Sequence, residues 1–474
     1  MEHPANYRGR QVVVLGLARS GVAVAKWFHE AGANVTVNDR KERELCPEAD
    51  ELEALGISVV CGGHPAGLVH EGVSLVVKNP GIPYSVEPIR RADELGIETV
   101  TEVEVAYYLC QAPIIGITGS NGKTTTTTWT GLMLEAGGLK PIVAGNIGRA
   151  LTEAALEAAE DNRMVVELSS FQLKGTSSFR PSIACLLNVY ETHLDYHGTM
   201  NDYVVSKMKL FANQTEADTA VLNWDDPVCR QTAAKVRSRV LPFSVREELP
   251  YGLFVKPSLK EAKERQVTAL LTYRDEKGTE HTILPASELG IPGSHNVENA
   301  LAASAMAIAS GVAIETIARV LREFRGVEHR LEYVRTKDGV LFYNDSKATN
   351  PTATIKTIES FGQDIVLVAG GLDRGSDYME LLPAFQRQVK GLVAIGETKE
   401  KIVRVAKLAG MSRLKTVDTA ASGLQDTVTD AVREAFALAK PGDVVLLSPA
   451  CASWDMFPSY EERGRMFKQS VHNL

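Results

Sequence analysis

Short apolar runs alternate with amphipathic stretches along nearly the whole chain. Examples are QVVVLG followed by GVAVAKWFHEAG near the start, IIGITG further on, and DIVLVAGG and DVVLLSP toward the end. Continuous apolar strands that alternate with helices are typical of parallel sheets covered by helices on both faces. The pattern therefore predicts an α/β protein.

The 474 residues exceed what one hydrophobic core can organise, and the runs fall into three groups. We predict a Rossmann-like domain over residues 1–101, a central domain with a P-loop ATPase-type parallel sheet over 102–326, and a second Rossmann-like domain over 327–474. Residues 251–290 are charged and alternating, with EKG as a hairpin turn. They predict a small antiparallel insertion in the central domain.

Composition narrows the class of protein only modestly. Apolar residues make up 44% and charged residues 23%, and the net charge of −8 argues against a large nucleic-acid surface. No long apolar segment and no basic region followed by an apolar one is present, so we expect neither a membrane span nor a secretory signal. The six cysteines form no C-x-x-C pair, which favours free thiols and a cytoplasmic protein.

The stretch GITGSNGKTTTTT, residues 116–128, is similar to a phosphate-binding loop. The usual spacing would place its first glycine at 117, where Ile117 stands, and glycines occur at 116 and 119 instead. A strand pattern precedes the loop and a helix pattern follows it, as phosphate binding requires. A simple turn before a helix explains the sequence less well, because threonine runs start helices poorly. The positions expected to contact nucleotide phosphates are Gly119, Ser120, Asn121, Gly122, Lys123, Thr124 and Thr125.

Polar residues stand at or just after the ends of two later strands of the central domain. Glu167 ends the strand in VVELSS, and His193 and Asp195 come just after the strand in IACLLNV. Together with the Thr124 hydroxyl, they predict a site for hard cations such as Mg²⁺. A polar loop with a capping Asp, or a zinc site from the H-x-x-x-H pair, are the alternatives.

The first strand and its turn, VVVLGLARSG, followed by VTVND, resemble a dinucleotide-binding fingerprint that places Asp39 at the end of the second strand. The fingerprint needs glycine at position 18, where Ala18 stands. Its side chain hinders the close approach of an NAD pyrophosphate. An NAD-dependent oxidoreductase is therefore disfavoured, and a purely structural turn stays open.

Eight motifs occur in an order that resembles the Mur ligase family across essentially the whole chain. They are TGSNGKTTT, GNIG, ELSSFQL, NVYETHLDYHGT, PGSHNVENALAA, EHRLE, NDSKATNP and SPACASWDMF. The first would also fit folylpolyglutamate synthetases of the same superfamily. DSKATN together with SPACAS is more specific, and resembles the members that add D-glutamate.

The resemblance implies an ATP-dependent ligase that joins D-glutamate to UDP-N-acetylmuramoyl-L-alanine through an acyl phosphate, for peptidoglycan precursors. It implies ATP and two Mg²⁺ ions, small-molecule substrates only, and a cytoplasmic monomer without nucleic-acid or membrane partners. The compact loop is the form typical of this family. A P-loop switch protein without ligase activity is the alternative from another class.

The resemblance also implies roles for individual residues. Lys123, His193 and Lys207 would be catalytic, with Thr124, Glu167, His193 and a carbamylated Lys207 around the metal. That Lys207 is a plain surface lysine, or that Lys209 takes its place, stays open.

The remaining ATP contacts would be Asn296, Asn299, Arg330 and Asp345, although the two asparagines could simply be helix caps. The UDP-linked substrate would meet Leu17, Ala18, Arg19, Asp39, Arg40, Asn79 and Asn146. D-Glutamate would meet Lys347, Thr349, Arg374, Ser453 and Tyr460. Two of these depart from the family, since some members have lysine at position 374 and phenylalanine at 460.

Overall fold

The computed structural model describes residues 1–419 and 423–474, and the side chain of Asp195 lies outside this description. These residues form three sheets. The chain divides into two compact units, one of Met1–Glu288 with Val297–Arg322 and the other of Leu289–Asn296 with Glu323–Leu474. The predicted α/β class with three sheet domains is confirmed, whereas the predicted boundaries near 101 and 326 stay a prediction.

The N-terminal sheet has five parallel strands in the order β3-β2-β1-β4-β5, the arrangement of a Rossmann-like fold. On β1, Val12 and Val14 pack into one core cluster and Val13 and Leu15 into another. Both faces of the sheet are thus covered, which explains the unbroken apolar run. The strands are β1 Gln11–Leu15, β2 Asn34–Asn38, β3 Ser58–Val60, β4 Val73–Lys78 and β5 Thr99–Val100. The helices are α1 Arg19–Glu30, α2 Glu48–Ala54, α3 Glu87–Glu94 and α4 Glu102–Leu109, with 3₁₀ turns at Pro4–Tyr7 and Arg43–Leu45.

The central sheet has nine strands in the order β14-β13-β12-β11-β10-β9-β6-β8-β7. The predicted antiparallel strands are present, and they continue the edge of this same sheet through β12, β13 and β14. The strands are β6 Ile114–Thr118, β7 Lys140–Gly145, β8 Asn162–Glu167, β9 Ile183–Leu186, β10 Thr219–Asn223, β11 Arg239–Ser244, β12 Gly252–Lys256, β13 Leu270–Arg274 and β14 Glu280–Pro285. The helices are α5 Lys123–Ala136, α6 Leu151–Glu157, α7 Ser170–Lys174, α8 Leu194–His197, α9 Met200–Met208, α10 Pro227–Ala233, α11 Leu259–Arg265, α12 Ser294–Ala309 and α13 Ile314–Glu323, with a 3₁₀ turn at Ala286–Glu288.

The C-terminal sheet has six strands in the order β15-β16-β20-β17-β18-β19. Five are parallel, and the edge strand β15 is antiparallel to β16. Apolar clusters pack on both of its faces. The strands are β15 Glu332–Lys337, β16 Val340–Asn344, β17 Ile365–Ala369, β18 Val389–Ala394, β19 Arg413–Thr416 and β20 Val444–Leu447. The helices are α14 Pro351–Ile358, α15 Leu382–Gln388, α16 Lys399–Leu408, α17 Leu424–Leu438 and α18 Tyr460–His472, with a 3₁₀ turn at Met379–Leu381.

Among the described residues, none of the helices combines the length and the apolar character needed to cross a bilayer.

Candidate functional site

The glycine loop joins β6 to α5 at the carboxyl end of the central strands. Gly122 adopts a left-handed conformation with φ of 83°, and a Cβ there would lie 2.2 Å from Oδ1 of Asn299. A Cβ at Gly119 would lie 2.9 Å from Cβ of Leu187. Both glycines are therefore required by backbone conformation or space. Gly116, which the usual spacing does not demand, lies inside β6, where a Cβ would come within 2.8 Å of Leu210.

Two residues that the sequence analysis missed hold this loop. Asn188, just after β9, accepts a hydrogen bond from the amide of Asn121 at 2.9 Å and donates to its carbonyl at 3.2 Å. The hydroxyls of Ser120 and Tyr203 lie 2.9 Å apart. The signal for Asn188 was a polar residue at the end of an apolar strand, beside a strand that carries the loop. These contacts hold the loop backbone through residues outside the loop and its own helix.

Lys123, the first residue of α5, folds back over the loop. Its Nζ donates to the carbonyls of Gly119 at 2.8 Å and Ser120 at 3.1 Å. The ammonium is thereby held at the mouth of the loop beside the helix N-terminus, where a phosphate group would be bound.

The Lys207 side chain is 1% exposed and reaches the same loop from α9. Its Nζ donates to the carbonyl of Gly119 at 2.9 Å and lies 3.3 Å from the hydroxyl of Thr118. Burial, together with the ammonium of Lys123, holds the pKa of Lys207 well below its ordinary value. The Nζ of Lys209 instead donates to the carbonyls of Lys174, at the end of α7, and of Thr176, at 2.6 and 2.8 Å. Of the two candidate lysines, only Lys207 contacts the phosphate loop.

Glu167 ends β8 and is paired in register with Ile117 of β6, so it lies at the same sheet edge as the loop. Its side chain is buried, and Oε1 accepts a hydrogen bond from Nδ2 of Asn146 at 2.8 Å. Oε2 is also buried and has no hydrogen-bond partner within the described part of the chain. A buried carboxylate oxygen without a donor is unfavourable, and a bound cation would satisfy it. The residues present therefore fit a Mg²⁺ ion, with Thr124 buried at the start of α5.

The two histidines after β9 have different surroundings. His193 is exposed and directly precedes α8 with φ of 59°, and the centre of its ring lies 5.0 Å from that of Phe171. The ring nitrogens of buried His197 lie 2.7 Å from a carboxylate oxygen of Asp202 and 3.0 Å from the hydroxyl of Ser170. Over residues 1–419 and 423–474, no group of three or more His, Cys, Asp or Glu side chains forms a metal cluster. The side chain of Asp195 lies outside the described residues.

A cavity of about 460 Å³ opens where the turn after β1 meets the central sheet. Four of the seven residues predicted to contact a UDP-linked substrate line it, namely Ala18, Arg19, Asn79 and Asn146. The other three, Leu17, Asp39 and Arg40, are not among the residues that line the cavity. Asp39 accepts a hydrogen bond from the amide of buried Leu17 at 2.8 Å and thereby fixes the turn, while Arg40 is exposed.

The turn that borders this cavity depends on two glycines of the modified fingerprint. Gly16 has φ of 103°, and a Cβ there would lie 2.8 Å from Cβ of Asn79. A Cβ at Gly21 would lie 2.0 Å from the carbonyl oxygen of Gly16. Helix α1 can therefore approach the turn closely even though Ala18 replaces the middle glycine.

In the second unit, Asp345 is fully buried at the end of β16. It accepts hydrogen bonds from the hydroxyls of Thr357 at 2.6 Å and Ser448 at 2.9 Å. Burial raises the pKa of Asp345 to about 6, against the opposing effects of these two hydrogen bonds and of Arg330. Asn296, also in this unit, donates through Nδ2 to the carbonyl of Pro292 at 2.5 Å.

Four of the residues predicted to bind D-glutamate lie on loops after C-terminal strands, and the fifth, Tyr460, is the first residue of α18. The Nζ of Lys347 lies 5.8 Å from the ring centre of Tyr460, and the guanidinium of Arg374 lies 5.2 Å from the ring of Trp454. Ser453 is buried next to that tryptophan. The five predicted residues are Lys347, Thr349, Arg374, Ser453 and Tyr460.

Arg463 of α18, which the sequence analysis missed, joins two of these loops. Its guanidinium is buried and donates to the hydroxyl and the carbonyl of Ser346 at 3.0 and 2.8 Å. It also donates to the carbonyl of Cys451 at 3.2 Å. The DSK and SPACAS segments are thus held together by one buried cation. Sequence alone offered no signal, because an arginine in a helix is ordinarily exposed.

The three sheets belong to α/β domains, and a compact glycine loop with two lysines lies at the carboxyl edge of the central sheet. This arrangement defines a multidomain nucleotide-binding protein of the P-loop type. Family comparisons match residues 10–101 to the Mur ligase MurD-like N-terminal domain, 117–307 to the Mur ligase middle domain and 329–451 to the Mur ligase glutamate ligase domain. The chain belongs to the Mur ligase family.

Its relatives match over their full length. The UDP-N-acetylmuramoylalanine–D-glutamate ligase of Geobacillus sp. (strain WCH70) is 47% identical over 475 residues, with 100% of both chains covered. The ligase of the same name from Enterococcus hirae is 47% identical over 98% of this chain and 96% of its own.

Solved structures share the fold at lower identity. The UDP-N-acetylmuramate-alanine ligase of Thermotoga maritima has a TM-score of 0.58 at 18% identity, covering 98% of this chain and 99% of its own. MurF of Acinetobacter baumannii has a TM-score of 0.57 at 19% identity, covering 93% and 91%.

Proposed function

We propose that this protein is an ATP-dependent ligase that joins D-glutamate to UDP-N-acetylmuramoyl-L-alanine, in the synthesis of peptidoglycan precursors. Full-length relatives at 47% identity carry the name of that activity. The single observation that carries the proposal is the arrangement around Gly119, whose carbonyl accepts hydrogen bonds from both Lys123 and the buried Lys207. The phosphate-loop motif itself contains only the first of these lysines.

The chemistry follows from these positions. An oxygen of the substrate carboxylate attacks the γ-phosphorus of ATP, and ADP leaves. The amine of D-glutamate, after losing a proton, then attacks the carbonyl carbon of the acyl phosphate, and phosphate leaves. Lys123 and the backbone amides of the loop would stabilise charge on the transferring phosphoryl group. The protein supplies position and charge rather than a covalent intermediate.

Thr124, Glu167 and His193 would hold Mg²⁺, which when bound neutralises phosphate charge during transfer. The unpartnered Oε2 of Glu167 supports this assignment. Lys207 would serve as a carbamate that supports a second Mg²⁺. Its lowered pKa favours the neutral amine, the form that can add CO₂ with loss of a proton, and the resulting anion would attract a cation that an ammonium would repel.

In the C-terminal unit, we assign the cations of Lys347 and Arg374 to the two carboxylates of D-glutamate, with Thr349, Ser453 and Tyr460 around them. Cations that face a dicarboxylate are chemically complementary, and the planar guanidinium of Arg374 can bind one carboxylate through two hydrogen bonds.

We assign to ATP the residues Asn299, Asn296, Arg330 and Asp345. The packing of Asn299 against Gly122 of the phosphate loop supports its assignment. We further propose a cytoplasmic monomer with domains 1–101, 102–326 and 327–474.

The test is phosphate release by the full-length protein with ATP, Mg²⁺ and UDP-N-acetylmuramoyl-L-alanine. Release should require D-glutamate, L-glutamate should be rejected, and mass spectrometry should find the amide product. Equal turnover of both enantiomers would contradict the D-glutamate assignment. Phosphate release that is independent of any amino acid would instead indicate a P-loop switch protein.

A further inference from the structure

The buried amine of Lys78 has no part in the chemistry above, yet it lies beside the cavity of the N-terminal domain. Lys78 ends β4 and directly precedes Asn79, which lines that cavity. Its side chain is 1% exposed, and Nζ donates to the carbonyl of Pro80 and to the hydroxyl of Tyr196, both at 3.1 Å. The same hydroxyl donates to the carbonyl of Pro80 at 3.1 Å and also lies 3.3 Å from the carbonyl of Ile82. Two side chains therefore hold one carbonyl in the cavity wall.

Tyr196 belongs to α8 of the central domain, three residues after His193. Its ring packs edge-on against that of Phe171, with 4.5 Å between the ring centres. The ring centres of Phe171 and His193 are 5.0 Å apart. Phe171 itself lines the cavity. The turn that begins at Asn79 is thus joined, through Tyr196 and Phe171, to the segment that carries the proposed metal ligand.

The surroundings of Lys78 make its charge costly. The ring centres of Tyr84 and Tyr196 lie 4.5 and 5.8 Å from its Nζ, and these faces offset the cost only in part. The charge is opposed by burial and by a second cation, Lys174, which is paired with Asp202 at 2.7 Å. In the described part of the chain, Lys78 forms no ion pair with a carboxylate. Burial and Lys174 lower the pKa of Lys78 to about 7. An apolar residue would be cheaper to bury here, so stability does not account for the lysine.

We propose that Lys78 and Tyr196 are positioning residues that share one task, which is to fix the carbonyl of Pro80 and with it the turn 79–81 for binding of the UDP-linked substrate. This inference rests on the proposed function. The two side chains touch the backbone of the turn rather than the reacting atoms. They should therefore affect the affinity for this one substrate and leave the chemical step unchanged.

The experiment measures steady-state kinetics of the full-length protein for Lys78→Met, Tyr196→Phe and the double variant. Each single variant should raise KM for UDP-N-acetylmuramoyl-L-alanine by about tenfold, the usual effect of losing a hydrogen bond of this kind. The KM values for ATP and D-glutamate and kcat should stay within about twofold of wild type. The double variant should resemble the single ones, because both act on one carbonyl.

Matched controls remove the same atoms elsewhere. Tyr108→Phe removes a hydroxyl that donates to the carbonyl of Met1 at 2.9 Å and lies 3.0 Å from the hydroxyl of Ser178, away from the cavity. Lys209→Met removes a half-buried amine that binds two carbonyls. Both should leave all three KM values unchanged.

Three results would overturn the proposal. These are an unchanged KM for the UDP-linked substrate in both single variants, an equal rise in all three KM values, or additive effects in the double variant. Tyr196→Phe retains its ring packing, so it tests the proposal independently of any change in the stability of Lys78→Met. Calorimetric binding of UDP-N-acetylmuramoyl-L-alanine without ATP separates the two proposals. A wild-type protein that binds it but forms no product contradicts the proposed function, while weaker binding by the variants still supports the positioning role.

Discussion

Replacing Lys78 by methionine should make the protein more stable, by an amount that depends on pH. The ordinary pKa of a lysine is 10.5, and that of buried Lys78 is about 7. Between these two values the unfolded chain binds more protons than the folded chain, so the stability of the wild type rises with pH. Below pH 7 both states are protonated and the cost of the buried charge is complete. Above 10.5 both are neutral and the cost disappears.

The magnitude follows from the two pKa values. Each pH unit between them changes the free energy of unfolding by about 1.4 kcal/mol. From pH 7 to pH 9, Lys78 should therefore add about 2 kcal/mol to the stability of the wild type, after allowing for partial protonation near its pKa. Methionine is similar in length and carries no charge. Between pH 7 and pH 9, the free energy of unfolding of Lys78→Met should exceed that of the wild type by most at pH 7. This difference should fall by about 2 kcal/mol by pH 9.

Urea unfolding of the full-length protein, followed by circular dichroism at pH 7, 8 and 9, measures this effect. The difference between variant and wild type at each pH removes the contributions of other titrating groups. Lys260→Met is the control, since that side chain is 87% exposed and its replacement should give a difference that does not vary with pH. A constant difference for Lys78→Met across the range would show that Lys78 keeps an ordinary pKa, and would refute the reasoning.

Three further predictions concern the phosphate loop. Lys123→Ala should lower the rate of phosphate release about 100-fold or more with the far-ultraviolet circular dichroism retained, and near-normal activity would contradict the loop assignment. Lys207→Ala should lose most activity and recover part of it with added short carboxylates, whereas Lys209→Ala should keep its activity. Loss and rescue at Lys209 instead would show that Lys207 is the wrong choice of carbamylated lysine. Gly122→Ala should weaken binding of a fluorescent ATP analogue, because its Cβ would meet a side-chain oxygen at 2.2 Å. Gly138→Ala has the same left-handed strain but open space, with φ of 79°, and should bind the analogue normally.

The sequence by itself determined the fold class, because strand and helix patterns are local. The unbroken apolar run of β1 predicted a sheet covered on both faces, and its alternate residues do pack into two separate clusters. The loop from Gly119 to Lys123 was recognisable for the same reason, since its glycines, lysine and flanking elements are consecutive. The antiparallel hairpin near residue 277 was also predicted, but not that its strands extend the central sheet.

Tertiary structure decided which side chains meet across long distances in the chain. Lys207 and Lys209 differ by about 200° around a helix, so periodicity showed that they point apart but not which one reaches the loop. The contacts of Asn188 with the loop, of Arg463 with Ser346, and of Lys78 with Tyr196 join residues 67 to 118 positions apart. Burial and pairing at such contacts depend on how the elements pack, and no local pattern contains that information.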